Sequence, residues 1–351
     1  MDLRQHQARP AAAPGQRGGA VRDRCHADSS RARPAADARR GAATHDGAAD
    51  GLTGALRQSR CCRLSRVGEI SRALYRAGTG EPVLLLHGFT GAWHHWRPLL
   101  GDLAARYEVI APTLAGHDGG PPYEAENPMS FPGAADHLER HLDELGVDTA
   151  HVVGNSLGGA LALELAKRGR ARSVVALAPA GGWSRGDGET ERLARFFARQ
   201  IRLTRAMAPR MEMIMRRPSV RKLALRDAMR HGELVSPAEA VAITSAVVGC
   251  TVAEKALQSL RTDPDMALRD LDRISCPVLV ASPQFDRILP VERHAPRFRN
   301  EIEGVEWRTL PGCGHVPMWD DTPLVVQAIC EFIDRHIAAP AVADELALPA
   351  A

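Results

Sequence analysis

The chain lacks the features that mark several large classes of protein. No apolar run approaches the ~18–20 residues that a membrane-crossing helix needs, and no short apolar stretch of the secretory kind opens the sequence. Seven cysteines (Cys25, Cys61, Cys62, Cys250, Cys276, Cys313, Cys330) make an odd number, with no C-x-x-C pair and no zinc-like spacing to histidine. A disulfide scaffold and a structural zinc site are therefore not expected, and reduced thiols in the cytoplasm are. Aromatic residues make up 4% of the chain, and residues 1–66 contain no aromatic residue, Ile, Lys or Glu. That head has no platform on which nucleic-acid bases could stack, so no nucleic-acid partner is expected.

What the head does contain is 13 Arg against six Asp, set among Ala, Gly and Pro. Such a segment cannot bury enough apolar surface to offset its chain entropy. Residues 1–66 are expected to be a disordered leader, or a spurious upstream extension. Ordinary patterning begins abruptly at Val67, and valine is what an internal GTG start codon encodes. A functional basic arm is the rival reading, and loss of activity or solubility on deleting the leader would favour it. The formal net charge of +3 hides an uneven distribution: residues 1–66 and 183–262 each carry +7, and the remainder carries −11.

From residue 68 the chain alternates strand-like and helix-like segments. Strands are expected at 71–75, 82–86, 107–111, 151–153, 173–178, 277–282 and 305–310, and helices at 96–106, 132–145 and 323–337. Strands separated by helices imply a mainly parallel sheet covered on both faces, whose functional groups gather beyond the C-terminal strand ends. Residues 183–262 break the alternation with helical patterns at 190–208, 220–231, 237–249 and 252–260. They are expected to form a cap between two late strands, over a core of 67–182 and 263–337, with a loose tail at 338–351.

The most telling motif is Gly154-Asn155-Ser156-Leu157-Gly158-Gly159, between a short apolar strand and an Ala/Leu-rich helix. A G-x-S-x-G turn in that context is a nucleophile elbow. The turn is so tight that positions two before and two after the serine must be small. The helix beyond it aims N–H groups and the positive end of its dipole at the same point. A serine hydroxyl needs a base, and the base needs an orienting group. His315, in the Gly-rich loop after the last strand, and Asp286, in the loop after the preceding strand, supply both in the order Ser, Asp, His. The Phe89 N–H, following the strand at 82–86, pairs with that of Leu157 as an expected oxyanion hole.

Together these motifs resemble the α/β-hydrolase superfamily over about residues 68–337. His87-Gly88, Gly-x-Ser-x-Gly-Gly, Asp286 with Pro290, and Gly314-His315-Val316-Pro317 stand in family order. The turn Leu114-Ala115-Gly116-His117 is similar to the Arg-Gly-His-Gly turn of many members, in which the histidine is structural. Pro283 stands where a Gly is common before the acid, and Asp118 replaces a Gly after His117. The resemblance implies an α/β-hydrolase fold with a helical cap. It also implies a serine hydrolase that cleaves a carboxylic ester of an apolar small molecule through an acyl-enzyme, without cofactor or metal. A serine at the elbow sets the chain apart from dehalogenases and epoxide hydrolases of this superfamily, which use Asp there. Gly-Asn-Ser-x-Gly-Gly also resembles the meta-cleavage-product hydrolases, which split a C–C bond. The loop His-Gly-Phe-Thr-Gly and Val316 after the histidine depart from their pattern. A non-catalytic ligand-binding protein of this fold is the reading from another class.

Other residues have competing readings. Asp320 and Asp321 are read as caps of the final helix rather than as the triad acid. His137 and His141 are read as surface residues, because His-Leu-Glu-Arg-His is not the H-E-x-x-H of a metal site. His94 and His95 either pack or touch substrate. Cys313 fills a loop, Trp96 packs its helix on the sheet, and Trp93 and Trp183 pack or line the pocket. Met207, Met211 and Met215 fall on one helical face, with Met213 nearby, as cap packing or an adaptable ceiling. The basic excess of 183–262 reads as a solvated face, with an acidic substrate or anionic membrane as the alternative.

Overall fold

The computed structural model describes residues 68–124, 129–184, 186–263 and 266–337. The expectations for the leader and the tail lie outside the described residues. The strands are β1 (Glu69–Ile70), β2 (Leu74–Ala77), β3 (Pro82–Leu86), β4 (Glu108–Pro112), β5 (Ala150–Asn155), β6 (Ala171–Leu177), β7 (Val278–Pro283) and β8 (Glu306–Leu310). They form one sheet in the order β1-β2-β4-β3-β5-β6-β7-β8. From β4 to β8 every neighbouring pair is parallel, and only the β1–β2 and β2–β4 pairs, at one edge, are antiparallel.

Alternation along the central strands divides the core in two, because successive side chains point to opposite faces. Leu84, Leu86, Val152, Val174 and Val280 join one buried cluster. Val83, Leu85, Val153, Val175 and Leu279 join the other. On the first face pack α2 (Phe131–Glu144), α3 (Leu157–Lys167) and α9 (Val291–Glu301), through residues such as Leu138, Leu161 and Phe298. On the second pack α1 (Arg97–Ala104) and α10 (Thr322–Arg335), through Leu99, Leu103, Ile329 and Phe332. Trp96 is fully buried on that face, as its expected packing role requires.

Between β6 and β7 the chain runs through α4 (Glu189–Met207), α5 (Met211–Met215), α6 (Pro218–Leu225), α7 (Pro237–Gly249) and α8 (Ala253–Thr262). This insert touches both halves of the core, through Leu193 and Leu257 on one side and Met215 and Ile243 on the other. Its methionines do not share one continuous helical face. A 3-10 turn at Ala208–Arg210, containing Pro209, separates α4 from α5, because proline cannot supply the N–H that would carry the helix on. Met211 and Met215 are buried in packing, whereas Met213 is exposed. No single helix among the described residues is long and apolar enough to cross a membrane. The pair α7 and α8 meets that test only when taken together, and it is bent by 64°.

Candidate active site

Four loops leave the C-terminal ends of β3, β5, β7 and β8 and carry the residues singled out in the sequence. At the end of β5 the backbone reverses into α3 through Ser156, at φ 57°, ψ −115°. The turn is locked from both sides: the Ser156 N–H donates to Leu177 O, and its carbonyl accepts from Ala160 N and Ala180 N, each at 3.0 Å. The flanking glycines are a steric necessity. A Cβ on Gly154 would lie 2.1 Å from Gly158 O, and one on Gly158 would lie 2.0 Å from Leu86 O. No side chain fits at those distances, so the closeness of α3 to β3 and β5 depends on both.

His315 and Asp286 meet as a buried pair, with Nδ1 2.7 Å from Oδ2 and side chains only 5% and 2% exposed. The other carboxylate oxygen of Asp286 accepts from the N–H groups of Ile288 (2.8 Å) and Leu289 (2.7 Å). With both oxygens engaged, the acid is fixed in orientation, and its partner is the Nδ1–H tautomer of His315. The His315 carbonyl accepts from Asn155 Nδ2 at 3.0 Å, so the residue beside Ser156 holds the histidine loop directly. Ser156 and His315 then line one cavity of about 920 Å³. Asp320 is not within this pair. Its carboxylate accepts from the N–H groups of Gly314, Arg230 and His231 at 2.8–3.0 Å. Asp321 alone caps α10, accepting from Leu324 N. The role of Asp320 as a tie between the histidine loop and the insert was not visible in sequence, because its two partners in the insert are backbone groups about ninety residues away.

On the β3 side, His87 organises the loop that carries Phe89. Its Nε2 accepts from Leu114 N at 2.9 Å, and its Nδ1–H donates to Gly88 O at 2.8 Å. Burial, reinforced by His117, holds the His87 pKa well below 6.5, so the ring is neutral and keeps that tautomer. His117 packs edge-on against His87 and Phe89, and burial lowers its pKa to about 4, which suits a structural residue. Neither the Phe89 nor the Leu157 N–H has a hydrogen-bond partner among the described residues.

Two cavities open on Ser156. The 920 Å³ one also reaches Thr90, His95, Gln200, Asp227 and Thr244. His95 enters it, with burial lowering its pKa to about 3. The second, about 510 Å³, is lined by Leu157, Trp183, Leu193, Leu260 and Met266 among others. Trp183 therefore lines a pocket, whereas Trp93 packs against Tyr75 and donates to Ser71 O at the sheet edge. From the insert, Phe196, Phe197, Ile201 and Met229 line the larger cavity, and Met207, Met211 and Met215 do not. His137 accepts from Arg140, and His141 pairs with Glu144. Among the described residues no group of three His, Cys, Asp or Glu is placed to hold a metal ion.

Residues 83–328 match the alpha/beta hydrolase family, and with this sheet and its elbow the chain belongs to that family. Over 211 residues it is 36% identical to the epoxide hydrolase EphH of Mycobacterium tuberculosis, covering 59% of this chain and 96% of that one. It is 35% identical over 129 residues to a 2-hydroxy-6-oxo-2,4-heptadienoate hydrolase of Pseudomonas putida, covering 34% of this chain and 45% of that one. A thermophilic esterase from Thermogutta terrifontis aligns in three dimensions with a TM-score of 0.53 and 26% identity, covering 75% of this chain and 93% of that one.

Proposed function

We propose that the protein is a serine hydrolase that cleaves carboxylic esters of apolar small molecules through an acyl-enzyme. The observation that carries this reading is the shared cavity of Ser156 and His315, with His315 held by Asp286 at 2.7 Å. In the proposed reaction His315 Nε2 takes the proton of Ser156 as Oγ adds to the ester carbonyl. The Phe89 and Leu157 N–H groups receive the developing oxyanion, which is why two unpaired donors beside the serine matter. Asp286 stabilises the imidazolium. His315 then gives its proton to the leaving alkoxide, releasing the alcohol. Water, deprotonated by the same histidine, adds to the acyl-enzyme and frees the acid and Ser156. We assign helices α4–α8 as the cap over this chemistry. The free Cys250, Cys276, Cys313 and Cys330 support a reducing compartment such as the cytoplasm.

The likeness to EphH brings epoxide opening into view, but the elbow residue argues against it. A carboxylate that opens an epoxide forms an ester, which water can hydrolyse at its acyl carbon. A serine would form an alkyl ether, which has no carbonyl for water to attack, and turnover would stop. Cleavage of a C–C bond in a dienoate is the second reading, favoured by the Pseudomonas putida relative. Against it, neither cavity is lined by Lys or Arg among the described residues, and one is lined by Asp227, so a substrate carboxylate finds no partner. The test is turnover of p-nitrophenyl butyrate by the wild-type protein and by Ser156→Ala. Ester hydrolysis that disappears in the variant supports the proposal, and equal rates in both sink it. Faster Ser156-dependent loss of a 2-hydroxy-6-oxo-dienoate than of any ester would move the assignment to C–C cleavage.

A further inference from the structure

The two cavities that meet at Ser156 differ in chemistry. Apart from the serine, every side chain around the 510 Å³ cavity is carbon- or sulfur-lined or aromatic. Its one side-chain N–H, on the Trp183 indole, is already taken by Met266 O at 2.6 Å. The 920 Å³ cavity is more mixed: Thr90, Gln200, Thr204, Asp227 and Thr244 border it among side chains that are mostly apolar. His95 also borders it, with its Nε2 shielded from solvent and without a hydrogen-bond partner. Phe89 and Phe197 border both spaces and touch edge to face, with ring centroids 5.1 Å apart. They form a partition beside the serine.

The chemistry of acyl transfer decides which half of an ester enters which space. In the tetrahedral intermediate the acyl chain and the departing oxygen diverge from one carbon. The departing oxygen must receive a proton from His315, and a general acid has to sit within hydrogen-bond reach of the atom it protonates. His315 borders the polar cavity and not the apolar one. Resting on the ester reading above, we infer that the apolar cavity holds the acyl chain and the polar cavity holds the leaving alcohol. The substrate class is then an ester of an apolar, uncharged acid with a polar, hydroxyl-bearing alcohol. Leu260, Ala256 and Trp183 set the acyl chain length, and the threonines with Gln200 read the alcohol. With no Lys or Arg on either side, an acid carrying a second carboxylate is disfavoured in both.

A pair of mirror-image esters tests the orientation: 1-monooctanoylglycerol, an apolar acid on a polar alcohol, and octyl glycolate, a polar acid on an apolar alcohol. The expected result is a kcat/KM at least tenfold higher for the octanoylglycerol. The reverse preference overturns the inference. Filling the apolar cavity with Leu260→Trp, or independently with Ala256→Phe on the same helix, should lower the octanoate-to-acetate ratio of p-nitrophenyl ester turnover at least tenfold. Thr204→Trp in the polar cavity should move that ratio less than threefold while lowering kcat/KM for the octanoylglycerol. Circular dichroism melts confirm which variants have folded. If Thr204→Trp shifts acyl preference and both apolar-cavity variants shift alcohol preference, the assignment is wrong even though the protein is an esterase. If no ester is turned over in a Ser156-dependent way, the ester reading fails and this inference with it.

Discussion

Ser156 holds a positive φ without being glycine, a conformation that costs about 1–3 kcal/mol and persists only where the surroundings enforce it. Here they do, through three backbone hydrogen bonds and the two glycines packed against β3 and β5. Replacing the side chain separates chemistry from strain. Ser156→Ala keeps the backbone and loses the nucleophile, so ester turnover should fall by roughly a thousandfold or more with little change in melting temperature. Ser156→Gly should be equally inactive yet more stable than Ser156→Ala by about 1 kcal/mol, the relief of strain less the extra unfolded-state entropy. Urea melts of the two variants check this, and a less stable glycine variant would refute it. The acids divide in the same way. Asp286→Ala should reduce kcat by roughly a hundredfold to ten-thousandfold by freeing the imidazole, whereas Asp320→Ala should act mainly on stability. Cys313, although it sits two residues before His315, has its thiol pushed up to about 12 by burial and by Asp320 and Asp321. Iodoacetamide at neutral pH should therefore leave turnover intact.

Secondary-structure elements explain both what could be read in advance and what could not. Helix α7 appears with the bounds expected from sequence, because Pro237 and the reciprocal Ser236–Glu239 capping box define its start sharply. Strand β2 begins three residues later than expected, since Ser71 Oγ accepts from Ala73 N and Leu74 N and holds those residues in a turn. Helix α9 went unrecognised: its sequence is rich in charge and carries Pro296 inside, which hides the buried stripe of His294, Ala295 and Phe298. Ser156, Asp286 and His315 could be nominated as the candidate site because each sits in a short loop at a strand end, with a motif spacing of its own. Asp320 had no such signal, because the tie it makes depends on Arg230 and His231, distant in the chain. Removing that carboxylate leaves three N–H groups unpaired, so Asp320→Ala should cost about 1–3 kcal/mol. Hydrogen exchange should quicken at Arg230, His231 and Gly314, and exchange unchanged at all three would contradict the tie. Gly158→Ala pushes a methyl into the Leu86 carbonyl and should destabilise by more than about 3 kcal/mol, or prevent folding altogether.

For the molecule as a whole, buried histidines set the response to acid. Burial lowers His87, His95 and His117, to about 3 for His95 and about 4 for His117. An unfolded chain takes up protons on these rings near pH 6.5 while the folded one refuses them, so the unfolded state binds more protons and stability must rise with pH. Stability should be complete above about pH 6.5 and decline progressively toward pH 4. His117→Gln should flatten that slope in melting curves recorded from pH 5 to 8. Glu189 adds a second window at lower pH. Burial opposes its charge, but Arg192, Arg293 and His294 outweigh it and hold the carboxyl below 4.5. Its contribution is therefore lost only as the pH falls through that lower value. Glu189 begins the insert, and Arg192 also donates to Ile288 O in the loop that carries Asp286. At the insert's far wall, Ala228 O accepts from Val316 N at 2.8 Å, next to the clasp made by Asp320. The insert and the loop that carries His315 thus share main-chain bonds, and a chimera has to respect them. Transplanting a new insert from a relative without the segment from Cys313 to Asp320 would break the ties at Val316 and Asp320, leaving His315 held by Asp286 and Asn155 alone. Carried together as one cassette, the two should travel between scaffolds with the base still in register.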